Sequence, residues 1–174
     1  MWPRREPNLT AELAAMREHL RKLEAREGMW PLPACRVYND INILIPNGWP
    51  PTALTFNSER YDTDDMHSVL ANTNRITFNT AGIYAVVAQV NWETQTPPVG
   101  RRWVGIQLNG VTYITQFEVA AEVVDGRFNI SFPTHYEFAA TDWIQVMVFH
   151  TAGIALNVQS NANYSPEFSA ARIA

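Results

Sequence analysis

The side chains best suited to chemistry are few. Asp62, Asp64, Asp65 and His67 crowd the run DTDDMH, a density of oxygen and nitrogen ligands that invites a cation. A calcium loop of the EF-hand type starting at Asp62 needs glycine in sixth place and glutamate in twelfth. This chain has His67 and Thr73 there. The run therefore reads as an acidic surface loop, and no metal or cofactor is assigned. His135 and His150, with Glu137 close to the first, are a second candidate set, since two imidazoles and a carboxylate suit zinc. Histidines on strands of a β-sandwich more often sit hydrogen-bonded at an interface, and that is the reading adopted. Cys35 is the only cysteine and opens a strand with no base nearby. There is no G-x-S-x-G nucleophile elbow, and nothing marks a carboxylate pair for glycoside hydrolysis. The chain is expected not to be an enzyme.

Aromatic residues offer a binding role instead. Trp49, flanked by Pro46, Gly48, Pro50 and Pro51, belongs in a loop, where an exposed indole can stack on a sugar ring or another ligand. It is the candidate surface ligand contact. Trp103 and Tyr113 lie either side of Asn109-Gly110, positioned to pair across a hairpin. They are expected to fill the core and an oligomer axis.

The elements that must position these residues are mostly strands. The stretch from Arg75 to Trp92 organises the rest. Ile76 and Phe78 alternate with polar partners, Asn79-Thr80-Ala81-Gly82 supplies a turn, and Tyr84, Val86, Ala88, Val90 and Trp92 form one apolar face. The opposite face (Ile83, Ala85, Val87, Gln89, Asn91) starts apolar and ends polar, the pattern expected if a second subunit covers part of it. Further strands are expected at Cys35–Tyr38, Ile41–Ile45, Ala53–Phe56, Arg101–Leu108, Val111–Phe117, Arg127–Phe138, Trp143–Phe149, Ile154–Val158 and Phe168–Ile173. Asn109-Gly110 and Asp125-Gly126 are the hairpin turns. Eight to ten such strands predict a two-sheet sandwich, most simply a jelly roll.

The first 34 residues differ in kind. Residues 1–8 (MWPRREPN) are too proline-rich for a helix, and Trp2 with Pro3 make a candidate anchor for docking on a larger assembly. Asn8 then caps a helix that Gly28 ends. Leu9, Met16 and Leu23 take d positions and Leu13 and Leu20 take a positions of a heptad repeat. Glu12 with Arg17, and His19 with Glu24, stand at the g-to-e spacing that pairs parallel helices. So narrow a stripe on so short a helix implies partner helices. Residues 29–34 read as a stiff proline-rich linker.

Composition narrows the partners. Of 13 basic and 17 acidic residues, six and five fall within residues 1–27, leaving seven and twelve for the rest. An acidic body without a basic stripe argues against nucleic acid. No apolar run reaches membrane-spanning length, and Arg4, Arg5 and Glu6 do not open a signal peptide.

The phrases ITFNTAGIYAVVAQVNW, RRWVGIQLNG, FAATDWIQVMVFH and FSAARI, in that order, resemble the C1q/TNF-like jelly roll. They resemble in particular the form found in tailed-bacteriophage minor tail or fibre-type proteins, which commonly contains a phrase like TALTFNSERYDTDDMHS. The resemblance spans residues 35–174. Ala140-Thr141-Asp142 departs from the Gly-Asp turn usual there. The resemblance implies a mainly β head of about ten antiparallel strands, assembled as a homotrimer around an N-terminal stalk. It further implies a virion structural protein made in the host cytoplasm, associated with the tail or baseplate. Such a protein would dock on another virion protein through its N-terminus and contact a host cell-surface glycan or protein. A capsid decoration or head fibre is the alternative.

Overall fold

The computed structural model describes residues 9–27, 32–121, 128–161 and 166–174. The chain divides into two compact units, Met1–Leu32 and Pro33–Ala174. In the first, the heptad stretch forms one helix, α1 (Leu9–Glu27). Trp2, Pro3, Trp30 and the Asp125-Gly126 turn lie outside the described residues, as do the side chains of Leu9 and Leu23.

The second unit is a β-sandwich. In chain order its strands are β1 (Ala34–Tyr38), β2 (Ile43–Ile45), β3 (Thr52–Ala53), β4 (Ser58–Asp62), β5 (Ile76–Thr77), β6 (Gly82–Trp92), β7 (Arg101–Leu108), β8 (Thr112–Ala120), β9 (Phe128–Phe138), β10 (Trp143–His150), β11 (Leu156–Val158) and β12 (Glu167–Arg172). The first sheet runs β4-β1-β12-β6-β9, with β11 and β2 added beside β6 at its Trp92 end. The second runs β3-β10-β7-β8, with β5 also on β10. All pairings are antiparallel.

The long alternating strand dictates this arrangement. Tyr84, Val86, Ala88, Val90 and Trp92 are buried, each 0% or 1% exposed. The second sheet answers with Val104, Ile106, Ile144, Val146 and Val148, all at 0%. Each such side chain contributes about 1.5–3 kcal/mol on burial, so a shift of register by one residue on β6 would forfeit the whole row. At one end Phe78 stacks on Phe138 at 3.9 Å, and Tyr84 meets Phe78 edge-on at 4.6 Å. The Tyr84 hydroxyl donates to the Thr80 carbonyl at 2.6 Å, so this ring is buried with its polar end satisfied.

Turn chemistry fixes the β7–β8 hairpin. Asn109 and Gly110 both take positive φ (51° and 71°), and Val111 N–H donates to Leu108 O at 3.0 Å, the type I′ pattern that Asn-Gly favours. Asn109 also clamps the neighbouring turn, its Nδ2 donating to Asp142 and its Oδ1 accepting from Trp143 N–H.

Three expected strands are shorter than their apolar runs; the one expected at Ile154–Val158 begins only at Leu156, and the other two are cut by hydrogen bonds. At Asn39–Asn42 the asparagine side chains take over: Asn39 Oδ1 accepts Ile41 N–H, and Asn42 Oδ1 accepts Ser160 N–H. Beyond Ala53, Leu54 N–H still reaches Val146 O, but Phe56 N–H turns to Thr73 O, and the ladder breaks. β4 has no counterpart among the expected strands; it pairs with β1 across a bulge at Arg36/Val37.

Candidate functional site

The acidic run is a folded loop. Asp62 Oδ1 accepts Asp64 N–H at 3.2 Å, and Asp62 Oδ2 accepts His67 N–H at 2.8 Å. Both carboxylate oxygens are thus occupied by backbone donors. The His67 side chain is buried, with Nδ1 2.8 Å from Glu59 and Nε2 3.2 Å from the Thr73 carbonyl. No group of three or more His, Cys, Asp or Glu side chains among the described residues is arranged to hold a metal. Asp64 keeps Oδ2 buried without a partner, and Asp65 is exposed at φ 50°. Asp65 borders a cavity of about 300 Å³ that Arg75 also lines.

The two histidines do not meet. His135 lies on β9 in the first sheet and is exposed, whereas His150 lies on β10 in the second and is fully buried. A shared zinc ion is excluded by that separation. His150 sits in the core, not at an interface: Nε2 is 3.0 Å from Ile45 O, Nδ1 accepts Ala152 N–H at 3.3 Å, and Trp92 packs edge-on at 5.2 Å. Burial holds its imidazole below the usual range, against the Ile45 hydrogen bond, and the neighbouring Arg102 lowers it further. Arg102 is itself 1% exposed and donates to the Val99 and Arg101 carbonyls and to Gln95 Oε1. Cys35 is buried, and desolvation, reinforced by Asp62 and Glu59, pushes its thiol far above the ordinary value. Such a thiol is unreactive.

Trp103 and Tyr113 do pair, edge to face at 5.1 Å; Trp103 is buried, 6% exposed, but both stand outside the cluster between the sheets. They lie on the outward face of the second sheet, because Val104 and Ile106 claim the inward one. Gly105 makes room: a Cβ there would stand 2.5 Å from Trp103 Cη2 and 3.0 Å from Tyr113 Cδ1. Phe149 extends the row at 5.3 Å from Trp103, and Trp49 meets Phe149 edge-on at 5.8 Å. Trp49 is 73% exposed. Beside the row runs an amide relay, Asn74 donating to Gln145 and Gln145 to Gln107.

Among the described residues, one surface on the helix and one on the head bear on assembly. On α1, Leu13, Met16 and Leu20 are 54%, 60% and 51% exposed. On the outward face of the first sheet, Ala85 and Ala171, then Val87 and Ser169, register side by side and are only partly buried. These four side chains are small, with His135 and Arg36 in register beside them. At its edge Glu167, 3% exposed, accepts from both Arg36 and Arg60, and Arg60 also lies 4.5 Å over the Tyr38 ring. No helix among the described residues is long and apolar enough to cross a membrane.

No protein-family model matches the chain, and no curated protein sequence matches it. A solved structure does. The globular domain of zebrafish complement 1qA protein superposes with a TM-score of 0.55, over 82% of this chain and 98% of its own, at 18% identity. At that identity the likeness shows the fold, a C1q/TNF-like jelly roll.

Proposed function

We propose that this chain is a homotrimeric structural protein of a tailed-bacteriophage virion, a tail- or baseplate-associated fibre that displays its head to the host surface. The observation that carries the reading is the exposed row Leu13, Met16 and Leu20 on a helix otherwise lined with charge. A lone helix of 19 residues is marginal in water, and three copies packing these a and d positions remove the apolar stripe from solvent. Residues 9–28 are then the stalk, with Leu9 and Leu23 closing its ends, and residues 29–34 link it to the head at 35–174. Residues 1–8 dock on another virion protein through Trp2 and Pro3. The outward face of the first sheet gives the heads a surface on which small residues permit close approach. The order of phrases along residues 35–174 supports the phage assignment. The role asks for no catalytic residue, cofactor, nucleic acid or membrane insertion.

The test is direct. Light scattering on the full chain and on a shortened chain starting at Pro33 is expected to give three-fold mass for the full chain, and purified trimer is expected to bind host cells. Monomeric mass for both chains would defeat the assembly, and trimer that ignores cells bound by intact virus would defeat the attachment role. Immunogold label on the capsid shell would move the protein to decoration or head-fibre duty.

A further inference from the structure

Arg75 is a cation without a counterpart. Its backbone is fixed by a turn, Arg75 N–H donating to Asn72 O at 3.0 Å with Asn72 at φ 52°. Its guanidinium stacks over Trp143, 3.7 Å from the ring centroid. Trp143 is held in turn by the β7–β8 hairpin: its N–H donates to Asn109 Oδ1, and Gly110 lies so close that an added Cβ would stand 3.1 Å from Cη2. The contact therefore holds the guanidinium in place over the ring before any ligand arrives. Among the described residues, Arg75 has no carboxylate partner and its side chain makes no hydrogen bond; Nε is buried and unpaired. A planar fork of donors so held suits an oxyanion with two oxygens in one plane.

The cavity beside it specifies more than an anion. Its volume of about 300 Å³ is at the small end of ligand sites, room for one ring. Asp65 contributes a carboxylate that accepts no hydrogen bond among the described residues. Ser68 Oγ accepts Leu70 and Ala71 N–H, which leaves its hydroxyl hydrogen to donate. A bare anion meets repulsion from Asp65, and a neutral sugar leaves Arg75 unpaired. We propose that this pocket takes the acidic residue of a surface polysaccharide, its carboxylate paired with Arg75 and its ring hydroxyls donating to Asp65. The identity of the polymer rests on the host-attachment reading; the chemistry of the pocket does not.

Sodium glucuronate, glucose and inorganic phosphate, titrated separately into the ¹⁵N-labelled full chain, test this through the Arg75 Nε–H and Trp143 indole N–H resonances. Glucuronate is expected to shift both saturably, binding at least about tenfold more tightly than glucose. Arg75→Gln and Asp65→Asn are each expected to weaken it about tenfold or more, with Arg75→Lys in between because a point charge replaces the fork. Asp65 is exposed, so its variant stays informative even if Arg75→Gln disturbs the loop. Phosphate binding as tightly as glucuronate, and tighter still in Asp65→Asn, would overturn the saccharide assignment in favour of a plain anion site. No saturable shift with any of the three would overturn the site altogether. Trimer that binds host cells but not glucuronate sinks this pocket and leaves attachment standing; glucuronate binding without cell binding does the reverse.

Discussion

Glu167 is the side chain whose loss should be felt most widely in the head. It is 3% exposed and takes Arg36 on one carboxylate oxygen and Arg60 on the other. It thereby ties β12 to β1 and to β4, the strand with the least apolar burial of the three. Glu167→Gln keeps the shape and removes the charge. A charge-assisted hydrogen bond contributes about 1.5–3 kcal/mol when buried, and an exposed ion pair about 0–1 kcal/mol. Here the acid is buried while the arginine side chains are 36% and 29% exposed, so each pair belongs between those limits, at about 1–1.5 kcal/mol. The substitution should cost about 2–3 kcal/mol, or a fall of about 4–12 °C in Tm for a chain this size. Arg60→Gln should cost about 1–2 kcal/mol, because Glu167 keeps Arg36 while the contact with Tyr38 is lost. Urea unfolding at one fixed protein concentration measures both, since assembly couples stability to concentration. The double variant should then cost less than the two single costs added. A loss under about 1 kcal/mol for Glu167→Gln, or strict additivity, would refute the bridging role.

Three other outcomes follow from single features. Thr141 holds φ 77°, where a β-branched residue is strained by about 1–2 kcal/mol; Thr141→Gly keeps the backbone bond from residue 141 to Phe78 O and should stabilise the head by about 0.5–1 kcal/mol after the extra freedom of the unfolded chain is subtracted, and an unchanged or lower urea midpoint would count against strain at this position. His150 has its folded pKa below its unfolded value near 6.5, so its contribution is intact above that pH and is lost as pH falls toward the folded value, at up to about 1.4 kcal/mol per pH unit. Between about pH 7.5 and 5 the urea midpoint should fall more steeply for the natural chain than for His150→Gln, and parallel profiles would count against a neutral buried imidazole. Replacing Leu13 and Leu20 by Asp places charge at two a positions and should loosen the stalk; a trimer that survives in sedimentation assigns assembly to the heads, and collapse to monomer assigns it to the helix.

What the sequence made legible depended on how local the cause was. β6 can be read because its alternation runs unbroken from Tyr84 to Trp92, and the β7–β8 hairpin because Asn-Gly supplies both positive φ values. β4 cannot: Ser58–Asp62 is polar and mostly exposed, and its place comes from pairing with β1, not from any pattern of its own. The alternation of β7 is visible, and Trp103 is buried as its bulk suggests, but on the side of the sheet away from the inter-sheet cluster. The opposite row, Val104 and Ile106, faces the core, and Trp103 hides against Gly105 instead. Asp62 resembles a spare acid because the loop amides that occupy it leave no trace in composition. The Arg75–Trp143 stack is further still from local reading, since it exists only because β5 pairs with β10, Thr77 opposite Trp143.

A sandwich has two outward faces, and here they differ in kind. The first sheet presents small side chains at Ala85, Val87, Ser169 and Ala171 beside the Arg36–Glu167 pair; the other sheet presents an aromatic row ending in Trp49, an amide relay and, at its margin, the Arg75 pocket. If three heads meet through the small-residue face, the aromatic face points away from the axis three times over. The charge balance then sets the style of recognition. With seven basic against twelve acidic residues beyond residue 27, the long-range field of the head repels a polyanion, so a single Arg75 pocket can hold an acidic sugar only weakly. Repetition compensates. Three weak pockets on the proposed trimer, meeting a polymer that repeats its acidic residue, would exceed the single-site affinity by about 10²–10⁴-fold where the spacing allows simultaneous engagement. Monomeric glucuronate should therefore bind far more weakly than the polymer. Raising salt should weaken the local ion pair while relieving the repulsion of the approach, so salt dependence that is shallow for the polymer and steeper for glucuronate is the signature of this arrangement, and equal slopes would contradict it.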